Sequence, residues 1–136
     1  MVCATFPLIW VGGLVTTYDA GMAVPDWPST YGYNLFLYPL STWWGGPWDL
    51  FIEHGHRLLA SGVGMLVIAF VVVVWRKDSR PVMRWWSLVC LALVLLQGGI
   101  GGMRVLLDAV TLARLHGCLG PVFFASCVVA AVMTSK

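Results

Sequence analysis

Between about Ile52 and Trp75 the chain carries an apolar run long enough to cross a bilayer, and it stops at Arg76-Lys77-Asp78-Ser79-Arg80-Pro81. A span needs roughly 20 apolar residues. In hydrocarbon its backbone groups must bond to one another, so a run of this kind forms a helix. Three more runs follow the same pattern, over about residues 1–16, 85–103 and 110–133. With 60% of its 136 residues hydrophobic and 10% charged, the chain has no room for a separate soluble domain. The expected fold class is all-α: a polytopic membrane four-helix bundle, one domain over residues 1–136, with a long outer loop between helices 1 and 2. The first run is shorter than a comfortable span, and it lacks the basic start and small-residue cleavage site of a signal peptide.

Charge sets the expected orientation. Arg76, Lys77, Arg80 and Arg84 form the densest basic patch, which the positive-inside rule places in the cytoplasm. Four spans then give N-in and C-in, in what is expected to be a bacterial inner membrane. The loop from about Thr17 to Leu50 lies outside. Its glycines and prolines break regular structure repeatedly, and its tryptophans and tyrosines suit an interfacial cap. A net charge of +2 is too small to suggest nucleic acid as a partner, and the basic residues do not cluster as a nucleic-acid patch would. Cys3, Cys90, Cys118 and Cys127 sit in or beside apolar runs with no CxxC spacing, so disulfide and structural-zinc readings are weak.

Ionisable residues at the mouth of a membrane helix are costly and point to a functional site. They gather in Glu53-His54-Gly55-His56-Arg57. On a helix Glu53, His56, Arg57 and Ala60 share one face, while His54 points roughly 200° away from His56. The partner for His56 is His116. His56 precedes Arg76 by twenty residues and His116 precedes Lys136 by twenty, which puts both about 30 Å from the inner boundary, near the outer face. Facing histidines on membrane helices are an ordinary means of holding haem iron from two sides. Small residues around them, among them Gly62, Gly64, Gly117 and Gly120, leave room for a flat macrocycle.

Plainer readings stand beside these. Either histidine could be an interfacial residue with a water partner, and His54 is read that way. Glu53 could simply pair with Arg57 or Arg114. Arg57, Arg104 and Arg114 at the outer rim suit haem propionates or lipid phosphates equally. The pair Gly98 and Gly102 signals close helix packing.

Taken in order, Gly12-Gly13-Leu14-Val15-Thr16, Gly21-Met22-Ala23-Val24-Pro25-Asp26-Trp27-Pro28, Glu53-x-x-His56-Arg57, Leu96-Gln97-Gly98-Gly99-Ile100-Gly101-Gly102-Met103-Arg104-Val105 and His116 resemble the amino-terminal half of the haem A synthase family. The resemblance covers most of the chain. It implies a membrane oxidoreductase that binds haem O and oxidises the methyl at ring position 8 to the formyl of haem A, for a terminal oxidase. It further implies that His56 and His116 are the axial pair for the substrate haem, with Glu53 as the family's glutamate beside it.

The sequence departs from that family at three points. The second half, with its histidine pair for a haem b, is absent. The outer loop lacks the cysteine pair found in some members, and the first span is short. Stepwise oxidation must export electrons to an acceptor that the sequence does not identify. The chain is therefore expected not to work alone: it associates with a copy of itself or with a separate second half, or it is a truncated reading of a longer protein. The alternatives are a non-catalytic bis-histidine b-type cytochrome and an inactive, haem-free half-length homologue.

Overall fold

The structure is a computed structural model and describes residues 1–135. Its elements are α1 (Val2–Thr17), a 3-10 turn (Leu35–Leu37), α2 (Leu40–Trp44), α3 (Trp48–Lys77), α4 (Pro81–Leu107) and α5 (Val110–Thr134). The described residues contain no strand, and their one extended pairing is an isolated bridge between Thr30 and Tyr33. Helices α3, α4 and α5 are long and apolar enough to cross a membrane, whereas α1, at 16 residues, is shorter. α1 packs on α3 and α5, α3 on α4, and α4 on α5, so the four longer helices close a ring.

Proline placement and backbone geometry, not hydropathy, set the helix ends. α3 starts behind Pro47 at Trp48, with Asp49 in its first turn, and ends on Arg76 and Lys77. Both charge types complement the helix macrodipole. α4 opens on Pro81, whose missing N–H costs nothing at a first helical position. It closes at Asp108, held left-handed at φ 45° and ψ 45°. The helices therefore overrun the apolar runs, and Arg104, expected in the outer turn, lies in the last turn of α4. At the opposite end, Arg80 bonds Asp78 at 2.7 Å and donates to the Met133 carbonyl at 3.1 Å, tying the α3–α4 turn to α5.

Inside the ring, Val63, Val67, Cys90, Phe123, Cys127 and Ala130 form the main buried cluster. Outside it, Leu66, Ile68, Val73, Leu95, Val122 and Val132 are exposed. Of the most apolar stretch of each long helix, only 17%, 17% and 22% is buried within the protein (α3, α4 and α5 in turn). An apolar surface this extensive matches lipid, not water.

The connection from α1 to α3 is a folded cap. Ala20, Val24 and Thr30 are buried in it. Thr30 and Tyr33 exchange backbone hydrogen bonds of 3.0 Å around Tyr31 (φ 48°) and Gly32 (φ 79°). Two successive positive φ values are what a tight two-residue hairpin demands. Asp26 secures the turn by accepting the N–H groups of Tyr31 at 2.8 Å and Gly32 at 2.9 Å, together with the Ser29 hydroxyl.

Candidate functional site

The first turns of α3 hold the cap in place. Glu53, 3% exposed, accepts the Val24 N–H at 2.9 Å through one carboxylate oxygen and meets Arg57 at 2.7 Å through the other. Arg57 also donates to the carbonyls of Val24 (2.7 Å), Asp26 (2.6 Å) and Ser29 (3.0 Å). A planar guanidinium with several fixed donors suits such a cluster of acceptors. The pairing of Glu53 with Arg57, one of the two readings open in the sequence, is thus present, and it grips the cap.

His54 is not at a wet interface. It is 2% exposed, shares a 3.0 Å hydrogen bond with the Thr30 hydroxyl, and packs between the rings of Tyr38 and Trp43. The difference arises because the cap folds over this face of α3 instead of lying flat on the bilayer. Period-based reasoning separated His54 from His56 correctly but could not see the cap.

His56 and His116 do come together. Their ring centroids are 6.2 Å apart, with planes at 84°. A glycine on a neighbouring helix receives each ring edge. A Cβ on Gly12 of α1 would stand 3.0 Å from His56 Cε1, and one on Gly101 of α4 would stand 2.9 Å from His116 Cε1. The His116 Nδ1 lies 3.1 Å from the Gln97 carbonyl. A carbonyl can only accept, so Nδ1 carries the proton and Nε2 keeps its lone pair. The Gln97 side-chain amide returns a bond to the His116 carbonyl at 2.9 Å. His56 Nδ1 is buried with no hydrogen-bond partner, as is Gln97 Oε1. Sequence reasoning did not single out Gln97 as a site residue; an amide deep in an apolar helix was the available signal.

Two further glycines seat the cap on α4. A Cβ on Gly21 would collide with the Arg104 guanidinium, and one on Gly102 would collide with the Trp27 ring. Gly102 is thus covered from within the chain and cannot serve with Gly98 as an open surface for another helix. Arg104 is partly buried and its guanidinium has no acceptor among the described residues, while its charge lies within electrostatic reach of both imidazoles. Arg114 is exposed. Of the three arginines expected to hold propionates, Arg57 is already committed to Glu53 and the cap.

Two imidazoles gripping one metal ion through bonds of about 2 Å set their ring centroids roughly 6.4 Å apart, close to the 6.2 Å seen. The free Nε2 of His116 and the Nε2 of His56, whose Nδ1 lies on the Gly12 side, fit a haem iron. Among the described residues there is no group of three or more His, Cys, Asp or Glu side chains that could hold a metal. All four cysteines are free.

A family profile described as cytochrome oxidase assembly protein (COX15-CtaA) matches residues 48–135. The chain is similar to a protein named heme A synthase from Shouchella clausii (strain KSM-K16), with 32% identity over 120 residues, covering 86% of this chain and 38% of that protein. It is 30% identical over 134 residues to proteins of the same name from Brucella ovis and Brucella melitensis, covering 96% of this chain and 36% of each. The chain thus spans a little over a third of the length of these relatives. No solved structure matches.

Proposed function

This chain belongs to the COX15-CtaA family of cytochrome oxidase assembly proteins, and from that premise we propose that it is a haem O-binding module acting in the oxidation of the haem O methyl to the formyl of haem A. The observation that carries the proposal is the His56–His116 pair, spaced 6.2 Å between α3 and α5 and backed by glycines on both sides. The bound haem supplies the redox chemistry, and the protein supplies placement and electrostatics. His56 and His116 hold the iron. Arg104, with no acceptor of its own, receives a propionate carboxylate. Arg114 lies at the outer rim, where a propionate or a lipid phosphate would suit it, and Arg57 acts through the cap.

Glu53 has the proton-accepting role that the resemblance implies, under one geometric condition. Each oxygen already accepts one hydrogen bond, so the proton takes a second lone pair and weakens the hold on Arg57 or on the Val24 N–H. The electrons pass to an acceptor outside this chain, through a second copy or a separate half carrying a haem b. The helices lie in a bacterial inner membrane, N-in and C-in, with the site near the outer face, because Arg76, Lys77, Arg80 and Arg84 cluster at the other end.

The test is to purify the chain in mild detergent with haem O supplied, record its spectrum and identify the extracted haem chromatographically. Haem O binding in a low-spin form, lost in His56→Ala and in His116→Ala but kept in His54→Ala, supports the site. Formyl product that disappears in Glu53→Gln while haem stays bound supports the acid–base role. Haem bound but never altered, even with the second half present, would make the chain a b-type cytochrome. A chain that takes up no haem would overturn the reading.

A further inference from the structure

The end of the bundle away from the histidines, where α3 hands over to α4, holds a second polar arrangement. Arg76, Lys77, Arg80 and Arg84 gather there, and Asp78 is the one acidic residue of that stretch. Arg80 takes it up entirely, bonding one carboxylate oxygen through Nε at 3.0 Å and the other through Nη2 at 2.7 Å. Arg84 is left without a counter-charge. Its Nε donates to the Asp78 main-chain carbonyl at 3.0 Å, and its guanidinium carbon stands 5.6 Å from the centre of the Trp75 ring. These two contacts hold the group in place, while both Nη groups have no acceptor among the described residues.

That guanidinium is one wall of a cavity of about 190 Å³, completed by Trp75, Pro81, Trp85 and Leu88. Trp75 and Trp85 are exposed, and their indole N–H groups have no acceptor among the described residues. The adjacent Trp86, by contrast, donates to the Ser126 carbonyl at 3.0 Å. Two apolar strips lead away from the cavity along the outside of the bundle. One runs through Trp75, Val72 and Ile68 on α3, the other through Trp85, Leu88 and Leu95 on α4. Basic residues at the end of a span need no ligand to account for them. A guanidinium fixed against a tryptophan, with two unused donor groups at a cavity, has the form of an anion site. Its fork matches the paired oxygens of a phosphodiester. The apolar strips beside it give acyl chains a path, for which a free phosphate has no use.

We propose that the cavity at the α3–α4 turn binds an anionic phospholipid, with its phosphodiester on Arg84 and its acyl chains on the strips below. Basic pockets at this depth are where anionic headgroups settle. The site goes beyond the haem reading and does not depend on it. The lipid joins the end of α3 to the start of α4, as Arg80 joins their turn to α5.

The experiment adds dioleoylphosphatidylglycerol or dioleoylphosphatidylcholine to the full chain in mild detergent and counts retained lipid by native mass spectrometry. One phosphatidylglycerol should be retained in preference to phosphatidylcholine. Arg84→Gln should weaken that retention about tenfold or more, the scale of losing hydrogen bonds to a charged group. Lys77→Gln removes the same charge outside the cavity and should weaken it no more than about fivefold. Equal retention of the two lipids, or equal losses in the two variants, overturns the proposal. Displacement of the lipid by inorganic phosphate at equal concentration would overturn it in favour of a free anion, and displacement by a glutamate-rich peptide in favour of a protein partner. If Arg84→Gln loses helix content, Arg84→Lys decides: it keeps the charge without the fork and should still lose more than Lys77→Gln. Retention in Arg84→Lys equal to that of the unaltered chain sinks the inference.

Discussion

At the scale of single residues, the Glu53–Arg57 pair carries the largest electrostatic stake. Its side chains are only 5% and 10% exposed, and three loop carbonyls depend on the same guanidinium. Removing one partner strands the other charge, which costs about 3–5 kcal/mol in buried settings. Glu53→Ala should therefore lower the thermal midpoint in detergent more than the Glu53→Ala/Arg57→Ala double variant, and a double-mutant cycle should show the coupling. A double variant that is less stable by the plain sum of both losses would contradict this. Asp26 gives the pH dependence. Burial pushes its carboxyl up, but the N–H groups of Gly32 and Tyr31 and the Ser29 hydroxyl outweigh this and hold it below its ordinary value of 3.8. A depressed carboxyl stabilises the fold above the unfolded value and loses that contribution as pH falls through the folded one. Hydrogen exchange at the Tyr31 and Gly32 amides should accelerate below about pH 4, and Asp26→Asn should flatten the profile. The pairing of His56 with His116 was legible because helical depth can be counted from the charged ends. The bonding of Glu53 and Asp26 was not, since their partners are backbone groups that any residue type provides.

At the scale of elements, the cap and α4 meet through small residues, each receiving a large one. Gly21 receives Arg104 and Gly102 receives Trp27. Gly102→Ala should destabilise by about 1–3 kcal/mol through overpacking against the Trp27 ring and should speed proteolysis within residues 18–47, whereas Gly21→Ala meets only the movable end of the Arg104 side chain and should cost less. Gly98→Ala meets nothing within 4 Å and should stay within about 0.5 kcal/mol of the parent. A comparable loss at Gly98 would show that contact with the cap is not what makes Gly102 costly to fill. The contrast also marks a limit of reading spacing alone. Gly98 and Gly102 look like one packing motif, yet a tryptophan from a distant loop occupies the second. Helix existence and order were readable from the apolar runs. The ends were not, because α3 and α4 continue past the apolar stretch until Pro47, Pro81 and Asp108 stop them.

At the scale of the molecule, the chain has a ring of helices with an apolar exterior, one histidine pair, and a little over a third of the length of its relatives. His54 is fully engaged beneath the cap, so it offers no second site. Turnover of haem O should therefore appear only when the chain is paired with another haem-bearing half. Mass and haem content measured in mild detergent alongside formyl production check this; a monomer that turns over with one haem would refute it. The seat of Trp27 has a consequence for synthesis. The cap emerges from the ribosome long before Gly102 does, and its anchors on α3 arrive well ahead of its seat on α4. Closure of the cap over the bundle thus has to wait for a later helix to enter the bilayer. A nascent chain halted before α4 should leave its loop open to protease, and one extended through Leu107 should not. Membrane insertion itself then acts as the clock that seals the site.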